Sequence, residues 1–253
     1  VRNKLMTFAE VDDWSKLAFD FWVYNKPKDS WLFIDCGAFS ALSRGAEIDF
    51  RRYMDFCHRW KDNINEYVQL DKVGDWVTTR KNLEIMEKDG LHPIPVYTAQ
   101  APIAEFERLC EKYEHIALGG LRGKVAGSND WRKKQLDKTF RIAEKYWPRK
   151  FHAFGVTSQW VLERYPLYSA DSSSAIVGGG MGRVMTFDGG VIRSGHWVEY
   201  AQRTWDGECI DLIGKCSATT TSAHWGRRVH NIQTFLAFNR HIDRLWELRG
   251  ITW

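Results

Sequence analysis

The stretch Trp31-Leu32-Phe33-Ile34-Asp35-Cys36-Gly37-Ala38-Phe39-Ser40 decides how this chain is read. Trp31 to Asp35 has the character of a buried strand, and the acid at its end is followed by small residues. That is how a strand delivers a carboxylate to the mouth of an α/β barrel. A second segment of the same build, Leu167-Tyr168-Ser169-Ala170-Asp171-Ser172-Ser173-Ser174, lies far along the chain. Only the fold can bring Asp35 and Asp171 together. If it does, the site holds two carboxylates, enough for covalent catalysis at carbon with acid–base help.

Between these segments, strand-like and helix-like runs alternate. Phe50 to Trp60 reads as a helix with Phe50, Tyr53, Met54, Phe56, Cys57 and Trp60 as its apolar set. Tyr67 to Asp71 reads as a strand, and Thr78 to Lys88 as a helix closed by Gly90. His92 to Tyr97 is a strand made irregular by Pro93 and Pro95. Ile103 to Tyr113 is helical, and His115 to Leu118 is a strand ending at Gly119-Gly120. Asp130 to Tyr146 is a long charged helix, Phe151 to Val156 a strand, and Gln159 to Tyr165 a short helix stopped by Pro166. Repeated βα units imply a parallel sheet. No strand is followed by the Gly-x-Gly-x-x-Gly dinucleotide fingerprint, so a closed (β/α)8 TIM-type barrel is expected rather than an open doubly wound sheet. The 253 residues suit one such barrel domain spanning 1–253. Val177 to Gly195 suggests short β-like pieces, and His224 to Leu248 a helix.

The net charge of +4 is compatible with a nucleic-acid partner without demanding one. Thirteen tryptophans are read as core fillers, with stacking on bases as the alternative. The five cysteines, Cys36, Cys57, Cys110, Cys209 and Cys216, form no disulfide framework, which fits a cytoplasmic protein, the host cytoplasm if a phage encodes it. Neither a signal peptide nor a bilayer-spanning apolar run is evident, so no membrane partner is expected. Because the chain starts at Val1, an initiator segment is expected to precede it.

Strand ends carry the chemistry of a barrel. Read at those positions, the chain offers Asp35, Asp71 and Asp171. Any one of them reads equally as a loop or helix cap, but three together argue for a site. Gly119-Gly120 lets a backbone approach a flat ligand closely. Phe39 could cover a planar ring, or simply pack in the core. The run Gly178-Gly179-Gly180-Met181-Gly182-Arg183 lacks the ending of a nucleotide P-loop and reads as a flexible loop, with Arg183 a candidate phosphate contact. His-Glu-x-x-His, Gly-x-Ser-x-Gly and iron–sulfur spacings are absent.

In this order the segments resemble the tRNA-guanine transglycosylase superfamily, and in character its phage-type relatives that place 7-deazaguanines in DNA. Asp35-Cys36-Gly37-Ala38-Phe39-Ser40 is similar to the family's Asp-Ser-Gly-Gly-Phe/Tyr-Gln. Leu70-Asp71 matches its Leu-Asp, Leu118-Gly119-Gly120-Leu121 its Gly-Gly-Leu, and Phe154-Gly155-Val156 its Gly-Val-Gly. Tyr168-Ser169-Ala170-Asp171-Ser172 follows the nucleophile segment in outline. The resemblance runs from about Trp31 to Asp243. It implies that Asp171 attacks the sugar C1′ and that Asp35 handles the proton. It further implies that Asp71 and the Gly119-Gly120 backbone bind the base, and that Phe39 stacks on it.

The family's Cys-x-Cys-x-x-Cys zinc triplet is missing. Cys209, Cys216, His230 and His224 are the residues left to complete a four-ligand site, and no metal is assigned to the active site. The chemistry needs no cofactor. Gln100 is a loose match for the family's base-binding glutamine. His230-Asn231-Ile232 resembles its His-Asn-Leu helix start. No RNA-binding domain is appended, so DNA is expected over tRNA as the polymer, with a free 7-deazaguanine base as co-substrate and a homodimer compatible with the family. Two other readings stand beside this one. The first is a different barrel enzyme acting on a glycosidic bond or phosphosugar, and the second is a non-catalytic nucleic-acid-binding barrel.

Overall fold

The computed structural model describes residues 3–11, 16–27, 30–121, 128–196 and 221–253. The chain divides into two compact units, Val1–Phe154 with Leu167–Ser169, and Gly155–Pro166 with Ala170–Trp253. The first is a mixed α/β structure on parallel strands. Its elements run β1 (Asn3–Thr7), α1 (Phe8–Val11), α2 (Lys16–Asn25), β2 (Trp31–Asp35), α3 (Ala38–Ser43), α4 (Phe50–Trp60), β3 (Glu66–Tyr67) and α5 (Trp76–Lys88). There follow β4 (Val96–Thr98), α6 (Ile103–Lys112), β5 (His115–Gly119), α7 (Asn129–Ala143), β6 (Lys150–Ala153) and β7 (Ser169–Ala170), the last of which reaches this unit with Ser169.

The strands form sheets ordered β1-β2-β3 and β4-β5-β6-β7. The β1–β2, β2–β3, β4–β5 and β5–β6 pairs are all parallel, and an isolated parallel bridge between Val68 and Ile94 links the two sheets. The order therefore follows the chain from β1 to β7 with no reversal. β3 and β4 are shorter than the sequence pattern suggested because Pro93 and Pro95 bring no N–H to the ladder. The Gln69 side chain fills that gap, accepting from Val96 N–H at 3.0 Å and donating to Thr79 O at 2.6 Å.

The sheet curls strongly. In a flat sheet β2 and β6 would lie about 19 Å apart, at about 4.8 Å per strand. Instead the Phe33 ring of β2 sits 4.8 Å from the His152 ring of β6 and 6.3 Å from Phe154. Glu66 of β3 reaches His115 of β5 at 2.8 Å. On the other face Leu32 and Ile34 pack with Phe8, Phe19, Tyr53, Cys57 and Trp60 in one buried cluster. Edge-on aromatic pairs hold it, with Phe8–Tyr53 at 5.1 Å and Phe19–Trp60 at 5.3 Å. Capping fixes the helix starts: Asp49 accepts from Arg52 N–H, Asp75 from Thr78 N–H and Ser128 from Trp131 N–H. Among the tryptophans, Trp60 and Trp246 are core, whereas Trp31, Trp147, Trp225 and Trp253 are exposed.

Glu66 is a partly buried acid of this unit with an ion partner. Burial pushes its carboxyl up, but the His115 hydrogen bond and charge, the Trp31 hydrogen bond and the Lys150 charge outweigh that and hold it below the ordinary value. A depressed folded pKa gives stability that is present above the unfolded value and lost as pH falls through the folded one. The acid limb of the stability curve therefore begins near pH 4.5, the ordinary glutamate value. Glu66→Gln should flatten that limb in urea melts taken from pH 6 down to about pH 3. An unchanged limb would show that this ion pair is not what titrates.

The second unit contains α8 (Gln159–Arg164), α9 (Ser174–Gly180), the antiparallel hairpin β8 (Arg183–Asp188) and β9 (Val191–His196), and α10 (Thr221–Leu248). Gly189 and Gly190 turn the hairpin with φ of 56° and 77°, the two positive values that a tight two-residue turn requires. Phe238, Ile242 and Trp246 of α10 form the core with Leu162, Phe187, Ile192, Phe235 and Ile251.

Two sequence expectations are corrected here. Gly178 to Gly180 is the end of a helix, not a flexible loop. The glycines serve close packing, since a Cβ on Gly179 would lie 2.8 Å from Arg228 N, and Arg227 donates to Gly179 O at 2.8 Å. His230-Asn231 lies well inside α10, which begins at Thr221, and is not a helix start.

Candidate functional site

In the first unit Asp35 ends β2 and Asp71 follows β3. Strand alternation gives Asp35 the same side as Phe33, inside the curl. Cys36 is the link between the two acids. Its thiol is 3 % exposed. Burial, then the charges of Asp35 and Asp71, push its pKa well up against the lowering effect of the Asp71 and Ala38 backbone. The thiol thus stays protonated, within the fields of both acids. Gly37 then turns the chain at φ +80°, against β1, where a Cβ would lie 2.6 Å from Thr7 Oγ1 and 2.8 Å from Ala9 N.

Asp71 is fixed from α5. Its Oδ1 accepts from Thr79 Oγ1 at 2.8 Å, and Asn82 holds the preceding carbonyl, Leu70 O, at 3.0 Å. Burial raises the Asp71 carboxyl above the usual aspartate range against the lowering effect of Thr79. Its other oxygen lies 3.7 Å from where a Cβ on Gly119 would stand. Glycine at the end of β5 therefore leaves open space beside a carboxylate. Gly120 follows at φ +71°, and its carbonyl accepts from Gln100 Nε2 at 2.9 Å. A Cβ on Gly120 would collide with the Gln100 carboxamide, at 2.2 Å from its oxygen. Phe39, on α3, is 50 % exposed, which rules out core packing and leaves its ring free to cover a ligand. The first unit thus brings Asp71 and Gly119 side by side, with Asp35 near Asp71 through Cys36.

In the second unit Asp171 stands one residue beyond β7. Its Oδ1 accepts from Gly155 N–H at 2.8 Å, and Gly155 has φ +65°. Two separate sequence segments, Gly155-Val156 and Ser169-Ala170-Asp171, therefore meet directly. Behind Asp171, the Ser172 and Ser174 hydroxyls hydrogen-bond each other, and Ser172 Oγ accepts from Ser174 N–H at 3.1 Å as α9 begins.

No family model, curated protein or solved structure matches this chain. The reading of the site rests on its own geometry and on the motif resemblance.

Cys209 and Cys216 lie outside the described residues, so the sulfur half of the zinc set is not on view. Of its histidines, His230 binds Met185 O through Nε2 at 2.8 Å, which makes that nitrogen a donor and leaves Nδ1 alone for any ligand role. Among the described residues no group of three or more His, Cys, Asp or Glu is arranged to hold a metal. Arg183, the candidate phosphate contact, is exposed and donates from Nε to Ser194 Oγ across the hairpin at 3.2 Å. No described helix is long and apolar enough to cross a membrane. Thr79, Asn82 and Gln69 had no sequence signal: each is an ordinary polar residue whose role comes from which strand end its helix or strand meets.

Proposed function

We propose that this protein is a (β/α)8-barrel transglycosylase of the tRNA-guanine transglycosylase superfamily that exchanges guanine in DNA for a 7-deazaguanine base. The slot at Asp71, Gly119 and Gly120 carries the reading. A half-buried carboxylate faces a strand end that has no side chain, with an exposed aromatic ring on the helix after Asp35. The N–H groups on a guanine edge suit a carboxylate acceptor, and a flat ring suits a bare backbone.

The barrel reading is supported by the unreversed parallel strand order and by the contacts across the curled sheet. An open doubly wound sheet would reverse its order at a switch point. Within the first unit His152 Nδ1 meets Ser169 Oγ at 2.8 Å.

In the proposed cycle the Asp171 carboxylate attacks C1′. A C1′–O bond forms as the C1′–N9 bond breaks, and the departing guanine takes a proton from Asp35. The incoming 7-deazaguanine then attacks C1′ through N9, gives its N9 proton to Asp35, and releases Asp171. A base inside a duplex must first be extruded from the stack.

The direct test is incubation with radiolabelled guanine or a 7-deazaguanine and either duplex DNA or tRNA. Label should enter DNA. Label in tRNA alone would move the substrate to RNA, and label in neither would sink base exchange. Asp71→Asn keeps an oxygen for Thr79 but presents a neutral partner to the base. It should raise KM for the free base by about 10- to 100-fold, the loss of a charged hydrogen bond, with the melting temperature little changed. An unchanged KM would remove Asp71 from the base site.

A further inference from the structure

We propose that the exposed face of α7 is a docking surface for the phosphate backbone of DNA, formed by Lys134, Lys138 and Arg141. This rests on the nucleic-acid half of the reading above and not on its chemistry. The helix carries five basic residues, Arg132, Lys133, Lys134, Lys138 and Arg141, against the acids Asp130 and Asp137, in a chain whose net charge is only +4. Lys134, Lys138 and Arg141 recur at i, i+4 and i+7, so they form one stripe. All three are exposed, while Leu136, Thr139, Phe140 and Ala143 bury the opposite face.

None of the three forms an ion pair with a described residue. Asp130 and Asp137 stand at helical spacing from the stripe, and neither closes on it. Beyond the helix, Lys145 pairs with Glu107 of α6 at 3.4 Å, and Glu144 is exposed. Elsewhere the protein uses opposite charges at this spacing, as in Arg80–Glu84 and Arg51–Asp55. On α7, Asp130 and Asp137 precede Lys134 and Arg141 at the same spacing, yet the stripe's cations close on neither. Three exposed cations on one stripe that close on no described acid suit an external polyanion.

The stripe also starts in the right place. Arg132 Nε donates to Leu121 O at 2.9 Å, which ties the first turn of α7 to the residue after Gly119-Gly120. Lys134, two residues on from Arg132, heads the stripe. Lys134 to Arg141 spans about 10.5 Å of helix. At about 3.4 Å of rise per phosphate on one strand, that length faces about three phosphates.

The test is fluorescence anisotropy of a labelled duplex between 50 and 200 mM salt. It compares the wild type, Asp171→Asn, the triple variant Lys134→Glu/Lys138→Glu/Arg141→Glu, and a charge-matched control, Lys61→Glu/Lys81→Glu/Lys88→Glu, on other exposed positions. The wild type and Asp171→Asn should bind alike. The stripe variant should lose about tenfold or more at 50 mM, with the slope of log K against log salt shallower by about 2 to 3. The control should stay near the wild type. Stripe-variant binding within twofold of the wild type at unchanged slope overturns the proposal. So does an equal loss in the control, or tighter, stripe-dependent binding of tRNA in a parallel titration. Stripe-dependent DNA binding without exchange of labelled guanine would sink the transglycosylase reading and leave the surface standing. Exchange with stripe-independent binding would do the reverse.

Discussion

Asp171→Asn abolishes base exchange, with kcat/KM falling by roughly 10^4-fold, because an amide oxygen is too poor a nucleophile to form the glycosyl ester. The fold should survive. The asparagine Oδ1 can still accept the Gly155 N–H that Asp171 accepts at 2.8 Å. The wild type, incubated with DNA and no incoming base, should give a protein–DNA adduct that persists on a denaturing gel, and the variant none. Circular dichroism and the melting temperature should match the wild type within about 2 °C, the shift that a loss of about 1 kcal/mol or less would give. Full exchange activity in this variant would end the assignment of Asp171. Loss of activity together with loss of fold would be answered by Asp171→Glu, which restores the carboxylate.

Asn231→Leu is the substitution expected to cost most stability. Asn231 is fully buried, and its one carboxamide serves three backbone groups. It accepts from Met185 N–H at 2.8 Å and donates to Ala175 O and Arg183 O at 3.1 Å each. It thereby binds α10 to both α9 and β8. Leucine fills similar space but strips the Met185 N–H and the Arg183 carbonyl of their Asn231 partner, while Ala175 O keeps its place in the α9 helical ladder. At about 1–3 kcal/mol for each orphaned group, with incomplete additivity, the cost is about 4 kcal/mol. That corresponds to a fall of about 10 °C in melting temperature for a chain of this size. Because α9 begins just after Asp171, exchange activity should fall as well. A variant melting within 2 °C of the wild type would show that the network is replaceable.

Much of the secondary structure was legible in the sequence. Trp31–Asp35 and Phe50–Trp60 are found as read, because an uninterrupted apolar run and a strong 3.6-residue pattern leave little choice. Asp35 and Asp171 fall at strand ends as read, whereas Asp71 lies four residues past β3, which stops at Tyr67. One misread stretch was Gly178–Gly180. A glycine run ordinarily signals a loop, and only the neighbouring helix explains it: Arg228 packs where side chains would otherwise stand. Phe39 was ambiguous for the same reason, since an aromatic four residues past a strand end can turn inward or outward, and local sequence does not decide which.

The sequence by itself determined the alternation of strands and helices, the acids that end the strands, and the glycines that the turns demand. These follow from periodicity and backbone sterics, which act over a few residues. Only the tertiary structure decided that the sheet curls until Phe33 meets His152, and that Asp71 is locked by Thr79 beside a bare Gly119. It also decided that Gly155 holds Asp171 and that one asparagine binds three elements. Such contacts join residues far apart in the chain, and their energies depend on burial and distance, which no local pattern encodes.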